Sequence, residues 1–556
     1  MFGNFPKRML PPEDCWPDLV FPGNFSSLLL NRPHINCAEL LWDIGISRRG
    51  IQGKIAFHVD GNPVKYKDIL KDVNRFGNAL KKLGVHEGDR IVFRFGDHLE
   101  AIITTLAVWK IGAICVPTQP LERAKELEYI FNDTECKFVV TIVEDIQEVE
   151  AALDNSPLVK NVIVVGNYKG GKAFLPFDAL LVGEDVELEV AKTKPYDVNA
   201  IYYTGGTTGR PKGCLCTHAG EVAHALNVIE VRGTKLNDVH YCPLPVGHTF
   251  GNFEKVPNII ASGITSVLNK ERYSPQQVLN TIEKYRVTKF IASPTVLRMI
   301  SSSVNIEEYD LSSLRIVLCS GEVFDKKTFD EWTKKLGFEP WNGYGMTPFR
   351  GWLMCPAIGG KKFLSGRSVG KPLPGYEIRI VDKEGKDVSD GENGTLLVRG
   401  PTGICFLNNK HPDIKRYVEE DMNWGKYSRA DDYFFKNSEG CFEFQARESI
   451  LIRSAGRFVD PSEIEEVLHE HPAIKEAVVI GIPDAVRGEV PKAIVILKEG
   501  FEKNDDLIAE LQGFIKQKIA AYKYPRVIEF VDEIEKDAVG KIQRKKLKEK
   551  AAIEMK

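Results

Sequence analysis

Long apolar runs are missing from this chain. The longest, Ala101 to Pro117 (AIITTLAVWKIGAICVP), contains Lys110 and falls short of the roughly 18 apolar residues a membrane-spanning helix needs. It reads instead as a buried helix running into a strand. An excess of charge of one sign is missing too. Lys and Arg number 74 against 77 Asp and Glu, a formal balance of -3, so no polyanion-binding surface is indicated and no nucleic-acid partner is expected. Cysteine is sparse and unpatterned. The eleven cysteines are an odd count, and the only close pair, Cys214 and Cys216, has no second pair or His cluster to complete a zinc site. Free thiols and no protein metal site follow. The opening residues, MFGNFPKRMLPPEDCWPD, have no apolar run behind their basic residues, so a secretory leader is not expected and a cytoplasmic location is. Internal repeats and low-complexity tracts are absent, and the basic stretch KIQRKKLKEK reads as a solvated helix end.

What is present is ordinary globular material: 43% hydrophobic and 27% charged residues over 556 positions, enough for three or four folding units at roughly 150 residues each. From about residue 64, helical stretches alternate with short apolar runs: DILKDVNRFGNALKKLGV, RIVFRF, HLEAIITTLAVWKIG, AICVP, KFVVTI, NVIVVG. That alternation predicts an α/β fold of βαβ units around mostly parallel sheets. It resumes after the polar segment 192–199, with VLNTIEKY, VTKFIAS and LRIVLCS building a second sheet-and-helix layer. Between Gly366 and Gly403, Gly- and Pro-rich turns around EIRIVD and GTLLVRG suggest a small β subdomain. The tail reads helix, strand, strand, helix, strand, a compact α+β domain. The expected division is 1–447, with subdomains at about 1–195, 196–365 and 366–447, followed by a mobile domain at 448–556.

The most informative stretch is IYYTGGTTGRPKGCLCTH, 201–218, where an apolar strand breaks into ten residues holding four glycines, three threonines, a Pro and a Lys. Gly205, Gly206 and Gly209 let backbone N–H groups approach an anion, Thr204, Thr207 and Thr208 add hydroxyl donors, and Lys212 adds positive charge. This is a phosphate-cradling loop. It is neither G-x-x-x-x-G-K-[ST] nor G-x-G-x-x-G.

T-G-G-T-T-G-R-P-K-G resembles the signature loop of the adenylate-forming superfamily of acyl- and aryl-CoA synthetases, peptide-synthetase adenylation domains and luciferases, with Gly205 standing where that family usually has Ser. The resemblance extends in order along nearly the whole chain. PLPVGHTFG (243–251) is similar to the family's segment beside the acyl pocket and implies that His248 lies near the acid's carboxylate. SGEVF (320–324) resembles the stretch lining adenine, which implies main-chain contacts from Gly321 and Glu322. WNGYGMTP (341–348) resembles N-x-Y-G-x-T-E, implying that Asn342 bonds the adenine amine, Tyr344 stacks on the ring and Thr347 donates to the α-phosphate. The Glu that helps hold Mg²⁺ in the family is here Pro348, which offers no ligand. KYSRADDYFFKNSEGCFEFQARESILIRSAGRFVDPSEIE (426–465) resembles the ribose and hinge segment. It implies Asp432 on the ribose hydroxyls, Arg447 at ribose and phosphate, and Ser449 at the hinge, with Ala430 and Asp431 replacing the usual Thr and Gly. EKDAVGKIQRKKLKE (535–549) resembles the family's final motif and implies Lys541 as the catalytic cation.

RGPTG (399–403), YVEEDMNW (417–424), FQARES (444–449) and LPPEDCWPD (10–18) resemble the branch that activates benzoate and 2-aminobenzoate. The resemblance therefore implies a two-step ligase using ATP, CoA, Mg²⁺ and a small, aromatic carboxylic acid. A homodimer stays open. Three other readings remain: an aliphatic short- or medium-chain acyl-CoA synthetase, adenylation for a carrier protein, and a nucleotide-binding protein with weakened catalysis. Pro348, Ala430 and Ser449 motivate the last; Lys212, Thr347, Asp432, Arg447 and Lys541 argue against it.

Overall fold

The computed structural model describes the chain apart from residues 1, 14–15, 22–28, 30, 205–210, 272, 323, 357–367, 383, 409–417, 422–424, 448–449, 451, 455–456, 485–486, 520–522, 537–541 and 555–556. Two seven-stranded sheets form the large N-terminal part. The first runs Leu175–Pro176, Asn161–Val165, Phe138–Ile142, Arg90–Arg94, Ile114–Thr118, Val198–Thr204 and Lys212–Thr217, parallel except for its last strand. RIVFR, ICVPT and FVVTI are buried along their whole length, which is why their apolar residues run together with no polar alternation.

The second sheet runs Trp341–Asn342, Ile316–Cys319, Lys289–Ala292, Val239–Tyr241, Thr265–Leu268, Ile55–Val59 and Asn62–Lys65, again parallel except at its last strand. The expected division puts residues 55–65 in the first subdomain and 198–217 in the second. The sheets exchange them, because Ile55–Val59 pairs with Thr265–Leu268, and Val198–Thr204 pairs with Ile114–Thr118. The helices Cys37–Trp42, Leu99–Lys110, His218–Val231 and Pro257–Ser262 pack on one another and are almost entirely buried. A helix apolar on all sides belongs in such an interior. By contrast, Tyr66–Lys82 buries Tyr66, Ile69, Val73, Phe76 and Leu80 at helical spacing and keeps its lysines outward.

A third, antiparallel sheet follows: Met354–Cys355, Ser368–Pro372, Phe442–Arg447, Gly425–Lys436, Gly394–Arg399 and Glu377–Val381. The smaller C-terminal α+β domain pairs Ile474–Asp484 with Gly488–Leu497 and adds Val527–Phe530 in parallel, covered by Pro461–Glu470 and Asp505–Lys518. Asp460 and Asn504 cap those two helices by accepting from Ser462 and Leu507 N–H groups. No helix among the described residues is long and apolar enough to cross a membrane. The ten cysteines described are buried and free.

Candidate active site

The strand Trp341–Asn342 ends beside Ile316–Cys319, and Gly343 N–H closes on Cys319 O at 2.9 Å. The chain then folds back on itself, with Tyr344 N–H to Met354 O at 3.0 Å and Leu353 N–H to Tyr344 O at 2.8 Å. A Cβ on Gly345 would stand 1.2 Å from Gly351 O, so only glycine permits this approach of two backbones. Thr347–Phe349 makes one tight turn, and Arg350 leaves it at φ +65°.

The Tyr344 hydroxyl donates to Asp432 Oδ2 at 2.5 Å across 88 residues of sequence. Asp432 is fully buried on the strand Gly425–Lys436, and its backbone register partner is Arg447. Of Arg447 only the backbone is described. The Tyr344 ring meets Phe434 edge-on at 4.7 Å. Three residues named from two separate motifs are thus neighbours.

Gly321 and Glu322 follow the strand Ile316–Cys319. The Glu322 carboxylate accepts from Thr295 N–H at 2.7 Å, which caps the helix Pro294–Ser303 and turns that side chain to a structural task. Thr204 and Lys212 are register partners at the ends of two antiparallel strands and flank the glycine loop. Lys212 Nζ lies 5.4 Å from the Phe406 ring centre. Gly205, Gly206, Thr207, Thr208, Gly209, Ser449 and Lys541 lie outside the described residues.

His248 opens the helix Thr249–Lys255, with Nδ1 accepting from Phe250 N–H at 3.2 Å. Its loop is bolted to the first sheet. A Cβ on Gly247 would meet Thr118 O at 2.1 Å, and Asp97 Oδ1 accepts from Val246 N–H at 3.2 Å. Asp97 also pairs with the buried Lys255. Burial pushes the Asp97 carboxyl up to about 6 against the pull of that ammonium.

Between the His248 turn and the nucleotide segment stand Phe250 and Trp352, ring centres 5.2 Å apart and planes at 87°. A Cβ on Gly343 would lie 2.5 Å from Trp352 Cζ3. Trp352 Nε1 donates to Glu254 Oε1 at 2.7 Å, and the guanidinium of Arg232 covers the indole at 4.4 Å. Glu254 is buried, yet Arg232 and His240 hold its carboxyl down at about 2. Beside this group, Arg350 pairs with Glu221 in full burial. Sequence reasoning missed Asp97, Glu221, Glu254, Arg350 and Trp352. The available signal was a charged residue standing alone in an apolar helix, as Glu221 does in HAGEVAHAL, because a buried charge requires a partner.

Among the described residues no group of three or more His, Cys, Asp and Glu is arranged to hold a metal ion, and Pro348 is buried in the Thr347–Phe349 turn with no side-chain donor. Pro348 therefore supplies no side-chain oxygen at the position where the resembling motif has its Mg²⁺-holding Glu.

The family model described as AMP-binding enzyme matches residues 47–404, and that of the AMP-binding enzyme C-terminal domain matches 463–541. Acetyl-coenzyme A synthetase of Bacillus subtilis (strain 168) is 33% identical over 502 residues, 87% of this chain and 84% of its own. Benzoate–CoA ligase of Thauera aromatica is 28% identical over 90% of this chain and 93% of its own. The crystal structure of the anthranilate CoA ligase AuaEII in complex with anthranoyl-AMP superposes with a TM-score of 0.85 at 28% identity, covering 94% of this chain and 98% of that one.

Proposed function

This chain belongs to the AMP-binding enzyme family, and from that premise we propose that it joins an aromatic carboxylic acid such as benzoate or 2-aminobenzoate to CoA, using ATP. As an AMP-forming CoA ligase it works through an acyl adenylate. The acid's carboxylate attacks the α-phosphorus of ATP and pyrophosphate leaves. The CoA sulfur then attacks the adenylate's carbonyl carbon, its proton passes to solvent, and AMP leaves.

In this reading Asp432 accepts from the ribose hydroxyls, Tyr344 and Asn342 meet adenine, and the main chain at Gly321 and Glu322 lines its edge. Thr204, Lys212, Thr347 and the loop between them hold phosphate, and Arg447 reaches ribose and phosphate. His248 faces the acid. Lys541 brings a positive charge to the carboxylate and α-phosphate as negative charge develops there. The C-terminal domain, 448–556, turns about Ser449 between the two steps. With Pro348 offering no ligand, magnesium would be held by the nucleotide's phosphates and water, where it would supply neutralisation of phosphate charge.

The observation that supports the reading best is the Tyr344–Asp432 hydrogen bond, which brings together side chains from two of the resembling motifs. The aromatic part rests on Phe250, a partly buried ring two residues past His248 that is backed edge-on by the buried Trp352. The bulk of Trp352 beside Gly343 also favours a second reading, a short aliphatic acid. Acid-dependent pyrophosphate release across benzoate, 2-aminobenzoate, acetate, butyrate and octanoate, with and without CoA, tests both. An aryl acid should exceed acetate at least tenfold in kcat/KM. Preference for acetate overturns the substrate, and no acid-dependent release with any of the five overturns the reading as a whole.

A further inference from the structure

We propose that Arg350 is the positioning residue that locks the acid-binding turn, the glycine-loop strand and the nucleotide turn into one geometry, acting through other residues without touching a substrate. The inference rests on the function proposed above and deepens it. The Arg350 guanidinium spends its donors on two helices and lays its face on a strand. Nε donates to Glu221 Oε1 and Oε2 at 3.0 and 2.7 Å, on the helix that follows the strand Lys212–Thr217. Nη1 donates to the carbonyl of Thr249 at 3.1 Å, and Nη2 to Asn252 Oδ1 at 2.7 Å. The guanidinium lies 4.2 Å over the ring of Tyr202, whose hydroxyl donates to the same Asn252 oxygen at 2.9 Å.

Two of its partners, and Arg350 itself, are close in sequence to residues assigned a chemical task. Thr249 follows His248, Tyr202 precedes Thr204 by two positions, and Arg350 itself follows Thr347 by three. Arg350 N–H also closes the turn on Thr347 O at 3.0 Å. Its backbone is held at φ +65°, a region a bulky L-residue rarely adopts, so the surrounding contacts dictate its placement. Stability alone does not account for the arrangement, because a fully buried ion pair gains little over apolar residues of the same volume. What a planar fork with fixed donor directions supplies, and an ammonium cannot, is a simultaneous fix on three elements. Misplacing reacting groups by about 1 Å can lower a rate by about 10².

The test uses the full chain with Glu221→Gln and Arg350→Met together, so that no lone charge is left buried, and Arg350→Lys beside it. Single-turnover pyrophosphate release, thioester formation from supplied acyl adenylate, ATP affinity and the urea midpoint are measured on each. We expect folded proteins that bind ATP within about threefold of the parent. Pyrophosphate release should fall at least tenfold, and more than thioester formation does. Arg350→Lys should be slowed as well, since its charge satisfies Glu221 but cannot bridge Thr249 and Asn252. A folded double variant that releases pyrophosphate at the parent rate overturns the proposal. If the double variant does not fold, Asn252→Ala replaces it, with the ion pair left intact. A threefold or larger fall in the same step supports the proposal, and a parent-like rate overturns it. A parent protein with no acid-dependent release would instead defeat the proposed function, which separates the two failures.

Discussion

Replacing Asp432 by Ala should weaken ATP binding far more than replacing Tyr344 by Phe. Asp432 is fully buried and already accepts from the Tyr344 hydroxyl at 2.5 Å. If its carboxylate also takes the ribose hydroxyls, truncation removes at least one charge-assisted hydrogen bond to the nucleotide, worth about 1.5–3 kcal/mol. That corresponds to roughly a 10- to 150-fold rise in Kd for ATP. The same truncation strips Tyr344 of its acceptor and should lower stability by about 1–3 kcal/mol. Tyr344→Phe removes only the internal bond and leaves the ring against Phe434 at 4.7 Å. It should therefore lose similar stability while ATP affinity stays within about threefold. Calorimetric titration with ATP and urea unfolding on both variants, and on the double variant, read the two effects separately. A folded Asp432→Ala protein with parent-like ATP affinity would refute the reasoning and point to Asp431. Equal weakening in Tyr344→Phe would mean that Asp432 serves only to hold the tyrosine.

Gly345→Ala should destabilise the protein by about 3 kcal/mol or more, because the new Cβ would stand 1.2 Å from Gly351 O, and a parent-like thermal midpoint would contradict the backbone contact. His218 is buried with Nδ1 accepting from Cys37 N–H at 3.1 Å, and burial pushes its imidazole down to about 3. The unfolded chain therefore binds a proton below about 6.5 that the native state refuses, and stability falls as pH drops, by about 2 kcal/mol between pH 7 and 5 from this residue. Urea unfolding of His218→Asn should show that much less loss on acidification, and an unchanged slope would sink the assignment. Pro348→Glu should lower the Mg²⁺ concentration for half-maximal adenylation by supplying a carboxylate where the Thr347–Phe349 turn now has none. An unmoved or rightward titration would mean that the metal is held elsewhere.

Much of the architecture was legible along the chain. RIVFR, AICVP and KFVVTI declared themselves as strands of a mostly parallel sheet by alternating, as short apolar runs, with helical stretches, and Ala101 to Pro117 as helix into strand. The tail's helix, strand, strand, helix, strand order was readable from its residue runs alone. Such signals survive in sequence because helix period, strand alternation and turn chemistry are settled within a few residues. The glycine-rich break after Thr204 was visible for the same reason, since clustered glycines, hydroxyls and Lys212 are a local pattern.

What only the tertiary structure decided are the partnerships between distant residues. Ile55–Val59 joins a sheet whose neighbouring strand begins at Thr265, and nothing in IAFHV names that neighbour. Glu322 spends its carboxylate on the start of a helix, although its motif marks it only for its main chain. Tyr344 finds Asp432 across 88 residues, and Arg350 finds Glu221 across 129. A buried charge announces that it needs a counter-charge, but which one it meets depends on how layers stack and where backbones can touch, as at Gly345 and Gly351. Packing is a property of the assembled core, so no window of sequence contains it.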